Sequence, residues 1–272
     1  MKLYIANVGV NTTHASPKKG GCKSPIFPNG TFEFIPIPED KRDCRYTSNT
    51  YSTIKCYNNP ELTLTLSHYI DEEKYHNYAV HNDPEFKTYT YGDIMTPRAS
   101  NLSEIEPNDV LLFLARLYKF KEGVFTDNGD LYFIGCFTIE ENKIFDNWRI
   151  DIHSKELVKW RENAHFIKFE KGKMETFRIL KGVSNRSCRF KSALRTDIKV
   201  QELIYNREYD ENKDIFISNK DNEAVNNKKE EEIKKSSFPS KTRTIQAHLN
   251  SEIPTESECI RKLLEEIKKR CF

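Results

Sequence analysis

No apolar run in this chain approaches the roughly 20 residues that a membrane-spanning helix needs, which excludes a helical span and a membrane partner. The N-terminus also lacks the pattern of a signal peptide, because Asn7, Asn11, Thr12 and Thr13 interrupt it, and a cytoplasmic location is expected. Glycine is sparse and never spaced as in the Walker or dinucleotide-binding loops, so neither ATP nor NAD dependence has support and no cofactor is expected. No Gly-x-Ser-x-Gly elbow flags a nucleophile. The seven cysteines, at 22, 44, 56, 136, 188, 259 and 271, are scattered without a Cys-x-x-Cys pair, and they read as reduced, mostly buried thiols.

What is present suits a folded chain with much surface. Hydrophobic residues make up 37% and charged residues 31% of the 272, and the 12% of aromatics can supply a sizeable core. A net charge of +2 is too small for the whole-molecule field to drive nucleic-acid binding. The charge is uneven, however. Residues 60–109 hold ten Asp/Glu against three Lys/Arg, whereas 143–199 hold fifteen Lys/Arg against seven Asp/Glu. Such blocks suit a site that grips a phosphate with one part and works on a base with another, or else a dispersed solvated pattern. Arg186, Arg189, Lys191 and Arg195, crowded around Gly182, Ser187 and Ser192, are the phosphate candidates, with a basic surface loop as the alternative.

The run from His81 to Asp93 concentrates chemistry. Pro84 biases Asp83 away from the helical region and the Thr/Tyr alternation after it favours a strand. Side chains two apart would then share a face, bringing His81, Asp83 and Glu85 together, with Tyr89, Tyr91 and Asp93 continuing the parity. An ordinary strand with one wet face reads the same way. His14, His81 or His165 beside a carboxylate would titrate near neutrality, and Asp83 or Glu85 would orient it. His81-x-Asp83-x-Glu85 also offers three ligand types, but alternate strand residues seldom converge on one ion without a second element such as His14 or His165. No metal is assigned from the sequence. Tyr89, Tyr91, Phe86 and Phe27 would each stack a base for roughly 1–3 kcal/mol, although strand aromatics are more often core, where Phe86 is placed.

This run resembles the signature of the nucleotide modification associated domain 3 family, and other stretches are similar in the right order. Residues 1–12 (MKLYIANVGVNT) resemble its opening strand and turn, and Ser24-Pro25-Ile26-Phe27 followed by FEFIPIPE at 32–39 resembles its next element. Asn163-Ala164-His165 and the segment 182–193, with Ser187 and Ser192, look like its later motifs. The resemblance covers about residues 1–195. It implies involvement with modified nucleotides or bases in nucleic acid, without a defined reaction or catalytic set.

Along the chain, Lys2 to Val8 reads as a strand, Phe32 to Ile37 as an edge strand ended by Pro36 and Pro38, and 68–79 as one or two helical turns. Residues 109–120 and 131–139 read as buried strands joined through an Asp127-Asn128-Gly129-Asp130 turn, with Gly135 a bulge or close approach. Thr255-Glu256-Ser257-Glu258 has capping-box spacing, and Ile260, Leu263, Leu264 and Ile267 form one stripe of an amphipathic helix. Docking onto the domain and pairing with a protein partner are both open to that helix.

The expected fold is α+β, with a mixed or largely antiparallel sheet, flanking helices and analogy to base-recognition barrels. It comprises a domain over 1–215, a charged flexible linker over 216–254 and a helix over 255–272. The expected function is base modification in nucleic acid or nucleotide. His81, Asp83 and Glu85 would carry proton transfer, Asn11, Thr12 and Asp93 would hydrogen-bond base or sugar, Tyr89 or Tyr91 would stack, and His14, His165, Arg186 and Arg189 would assist binding. A non-enzymatic reader of modified bases is the alternative, and an adaptor acting through the C-terminal helix is a third.

Overall fold

The computed structural model describes residues 1–9, 21–39, 49–58, 63–126, 129–146, 155–172, 176–196, 207–210, 215–218, 233–234 and 245–271. At its centre lies β6 (Val110–Lys121), whose first six residues are all buried, as a strand covered on both faces requires. On one side β6 pairs in parallel with β1 (Lys2–Asn7) and, further along, with β2 (Ser24–Ile26). On the other it pairs antiparallel with the long β8 (Asp130–Asp146). The strand β7 (Val124–Phe125) folds back on β6 through Glu122 and Gly123, both at positive φ, as a two-residue hairpin turn needs.

The far edge of β8 carries two strands end to end. β9 (Thr176–Gly182) pairs with its second half and β10 (Cys188–Arg195) with its first. β5 (Thr90–Ile94) then pairs antiparallel with β9. Opposite, β1 pairs with β14 (Ile245–Asn250), so the main path runs β14-β1-β6-β8-β9-β5. The fold is α+β with a large mixed sheet. Its terminal strands do not pair with each other, so the barrel suggested by analogy is not closed. A short pair, β3 (Ile37–Pro38) with β4 (Val80–His81), stands apart, as does a sheet of β11 (Arg207–Asp210), β12 (Ile215–Ser218) and β13 (Ile233–Lys234).

Three apolar clusters fill the interior. The largest covers β1, β6 and the first half of β8, and a second gathers Cys22, Ile35, Tyr51, Tyr69 and Val80. The third packs Phe145, Trp160 and Phe177 beneath Phe166 and Phe169 of α1 (Ala164–Glu170). Gly135 bears out its reading by geometry: a Cβ there would stand 2.5 Å from Phe86 and 2.7 Å from the Cys188 carbonyl, beside a register shift opposite Phe113 and Leu114.

Several expectations change. Of the expected Phe32–Ile37 strand only Ile37 pairs regularly, together with Pro38 just beyond it, while Phe32 makes an isolated bridge to Ile26 and Ile35 N–H donates to Ser24 Oγ. Alternate prolines remove the donors a ladder would use. The stretch 245–250, assigned to the linker, is a sheet strand because β1 would otherwise lie at an edge. α2 (Pro254–Cys271) starts one residue ahead of Thr255, and Ile260, Leu263 and Ile267 lie buried in the main core, so the apolar stripe serves this chain's own sheet. Cys188 and Cys271 are joined as a disulfide rather than standing as separate thiols, because α2 brings its end against β10, a proximity that 83 residues of separation hide. Cys22, Cys56, Cys136 and Cys259 are buried and outside the disulfide, as read, and Cys44 lies outside the described residues.

Candidate functional site

The His81–Asp93 run does not extend as one ribbon. The Asp83–Pro84 peptide is cis, Glu85 and Thr90 exchange backbone hydrogen bonds at 2.9 and 3.0 Å, and the chain between them turns, with Tyr89 at φ +56°. The turn ends the extended run after Glu85. The Glu85 carboxylate accepts from the N–H groups of Lys87 at 2.6 Å and Thr88 at 2.7 Å and from the Thr88 hydroxyl. It holds the turn shut.

His81 and Asp83 remain together, and a distant element joins them. Asn163 caps α1 by accepting from His165 N–H at 2.9 Å, which fixes the first turn and directs the buried His165 at Asp83. His165 Nε2 stands 3.6 Å from Asp83 Oδ2, and the imidazoles of His81 and His165 meet edge to face with centroids 4.7 Å apart. One ligand-type atom from each of His81, Asp83 and His165 lies within 4.8 Å of the others.

Other side chains set the orientation of this cluster. Glu39, just after β3, meets His81 Nδ1 at 2.7 Å, and Lys168 of α1 reaches the other Glu39 oxygen at 2.6 Å. An ionised carboxylate only accepts, so Nδ1 carries the proton and Nε2 is left for the cluster. Asp83 Oδ1 accepts from Asn163 Nδ2 at 3.0 Å and, with Oδ2, from Gly92 N–H at 3.2 Å. Gly92 has no room for a side chain, since a Cβ would lie 3.0 Å from the Arg178 carbonyl and 3.2 Å from His165.

Burial dominates the electrostatics. It pushes the Asp83 carboxyl up to about 8, against the opposing pull of His81, the Gly92 N–H and Asn163. Burial likewise drives His165 down to about 4. Burial alone would raise Glu39, but hydrogen bonds and charge from His81 and Lys168 outweigh it and hold the group at about 2. A proton-holding carboxyl, a neutral imidazole and a fixed-tautomer imidazole thus share one small volume. That combination is equipped to take and give protons or to ligate a cation.

The other expected site residues lie elsewhere. Tyr91 is a core residue 4% exposed, edge-on to Phe113, its phenol driven well above the ordinary range by burial and by the charges of Asp83 and Asp93. Tyr89 is half-buried against Phe137, with Lys181 over its ring at 5.9 Å. Asp93 lies two residues from Tyr91 on β5 and its carboxylate accepts from the Ile94 N–H. Arg186 sits in the loop between β9 and β10, and Arg189, with 11% of its side chain exposed, pairs with the buried Glu33 at 3.2 Å. Other cations of the basic block are also paired: Lys159 with Glu141, Arg161 with Glu170 and Arg195 with Asp130. Asn11, Thr12 and His14 lie outside the described residues.

Glu39, Gly92, Asn163 and Lys168 were not foreseen as part of the site. Two of them carried a signal: Glu39 ends the Ile-Pro repeat, and Asn163 opens the Asn-Ala-His motif as a helix cap. No curated protein and no solved structure matches the chain. The family model described as nucleotide modification associated domain 3 matches residues 2–248, past the stretch where the sequence resemblance ends and into β14. Its span takes in Glu39, His81, Asp83, Asn163 and His165, and the chain belongs to the nucleotide modification associated domain 3 family.

Proposed function

We propose that the protein modifies a base in nucleic acid or a nucleotide, with His81, Asp83 and His165 as its reacting centre. The observation that carries this reading is the convergence of these three side chains from β4, the following loop and α1 in a chain of this family. Building a carboxyl and two imidazoles into a nearly dry volume costs stability, and such arrangements concentrate where chemistry is done. His81 is the most exposed of the three, with 15% of its side chain open against 8% for His165 and 4% for Asp83, so it is the group that meets a substrate. With Nδ1 protonated toward Glu39, its Nε2 accepts a proton from the base or sugar, and the ionised Glu39 carboxylate stabilises the charge that forms on the ring. Extruding a base costs a few kcal/mol, which stacking and two or three buried hydrogen bonds offset. Asp93 and Tyr89, on and beside β5, are the residues assigned to such contacts.

A reader that binds a modified base without changing it would use the same place. The two separate on one experiment. Full-length protein is incubated with single- and double-stranded DNA and RNA carrying plain and modified bases, and recovered nucleosides are weighed by mass spectrometry alongside binding across salt concentrations. A mass change that disappears in His81→Ala while binding persists supports the enzyme. Modification-dependent binding with unchanged nucleosides supports the reader, and no binding to any substrate or free nucleotide refutes both.

A further inference from the structure

The geometry points to a binding site for one divalent first-row transition ion, zinc or ferrous iron, ligated by His81 Nε2, a carboxylate oxygen of Asp83 and His165 Nε2. It uses the same cluster as the reading above, but it is tested by the ion alone and can fail while nucleotide modification stands.

Three observations carry it. First, the donors have the right separations. Ligands about 2.1 Å from one ion at tetrahedral to trigonal angles stand about 3.4–3.6 Å apart. Asp83 Oδ2 and His165 Nε2 are 3.6 Å apart, and one ligand-type atom of each of the three residues lies within 4.8 Å of the others, a gap that small side-chain rotations close around an ion. Second, the buried His165 is not tied to Asp83: its Nε2 faces the carboxyl but stops short of hydrogen-bonding distance. An imidazole 6% exposed is thus aimed across a gap at a carboxylate 8% exposed, neither reaching the other. Third, His81 carries a carboxylate on its far nitrogen. Glu39 holds Nδ1 at 2.7 Å and is itself held by Lys168, the arrangement that orients an imidazole for a metal and raises its basicity.

The donor set selects the ion. Two imidazoles and one carboxylate favour zinc or iron over magnesium or calcium, which prefer oxygen, and three protein ligands leave positions open for substrate or water. The sequence left the ion unassigned because alternate residues of one strand do not converge; α1 supplies the missing second element. With an ion bound, direct proton transfer by His81 gives way to ion-assisted chemistry on a substrate at the open positions.

The test uses the full chain stripped with a chelator, then titrated with Zn(II) by calorimetry and with Co(II) by absorption spectroscopy. One equivalent should bind, and the cobalt spectrum should lack a thiolate charge-transfer band, because none of the three ligands is a sulfur and the disulfide withholds Cys188 and Cys271 from the neighbouring cysteine cluster. His165→Ala and Asp83→Asn should each weaken binding at least about 100-fold, and Glu39→Gln about 10–100-fold. His81→Gln, at the least buried ligand, serves if the other variants do not fold, and it too should lose at least about tenfold. Cys271→Ser should leave the equivalent in place. Less than a stoichiometric equivalent in the wild-type protein, a thiolate band, or affinity unchanged in His81→Gln overturns the assignment.

Discussion

Replacing Arg189 with Met separates two roles that its sequence position supports equally. As a phosphate contact it would be exposed, and its loss would weaken nucleic-acid binding and lower the salt slope by about one while leaving stability alone. In the structure its guanidinium is buried, 3.2 Å from Glu33 Oε2, donating to the Phe32 carbonyl at 2.8 Å and stacked over Tyr57 at 4.0 Å. Glu33 is 1% exposed and also accepts from the N–H groups of Tyr57 at 3.0 Å and Asn58 at 2.6 Å. Arg189→Met therefore leaves a buried carboxylate without its cation, which costs about 3–5 kcal/mol. At about 2–4 °C per kcal/mol for a chain of this size, Tm should fall by roughly 6–20 °C. Denaturant and thermal unfolding of Arg189→Met, Glu33→Gln and the pair would measure it. The double variant should recover much of the loss, because Gln removes the uncompensated charge yet keeps an acceptor for a backbone N–H. Glu33→Leu with Arg189→Met should not recover, since both N–H donors are then orphaned. A wild-type midpoint for Arg189→Met, with weakened binding to nucleic acid, would refute the buried-pair argument.

Gly135→Ala should destabilise the protein by about 1–3 kcal/mol or more in denaturant unfolding, because the new methyl meets the rigid Cys188 carbonyl at 2.7 Å as well as the Phe86 ring. An unchanged midpoint would show that β8 and β10 can separate freely there. For Glu39, folding lowers the carboxyl from its ordinary value to about 2, so its stabilising contribution is complete above about pH 4.5 and is lost as pH falls toward 2. The wild-type minus Glu39→Gln difference in unfolding free energy should shrink by up to about 3 kcal/mol from pH 5 to pH 3 and below, and a flat difference would sink the His81–Glu39–Lys168 arrangement.

Local patterns were legible where one periodicity applied along the chain. The continuous apolar run 110–115 could only be a covered strand, the stripe Ile260, Leu263, Ile267 could only be one helix face, and Lys2 to Asn7 is the opening strand as read. The site was half legible. His81 and Asp83 are near in sequence and stay near in space, whereas the Glu85 carboxylate is taken up by the Lys87 and Thr88 N–H groups of the turn that follows it. Arg189 read as a surface cation because its partner Glu33 lies 156 positions away. Charge blocks in sequence carry no record of such pairings.

The sequence by itself determined the family, the α+β class, the buried strands and the residue types from which the site is made, because these follow from local composition, period and motif. Only the tertiary structure decided that β14 closes onto β1, that α2 covers its own sheet, and that His165, Asn163, Lys168 and Glu39 gather around His81 and Asp83. Those meetings depend on strand order and on where a seven-residue helix is capped, which are set by packing across distances that no window along the chain spans.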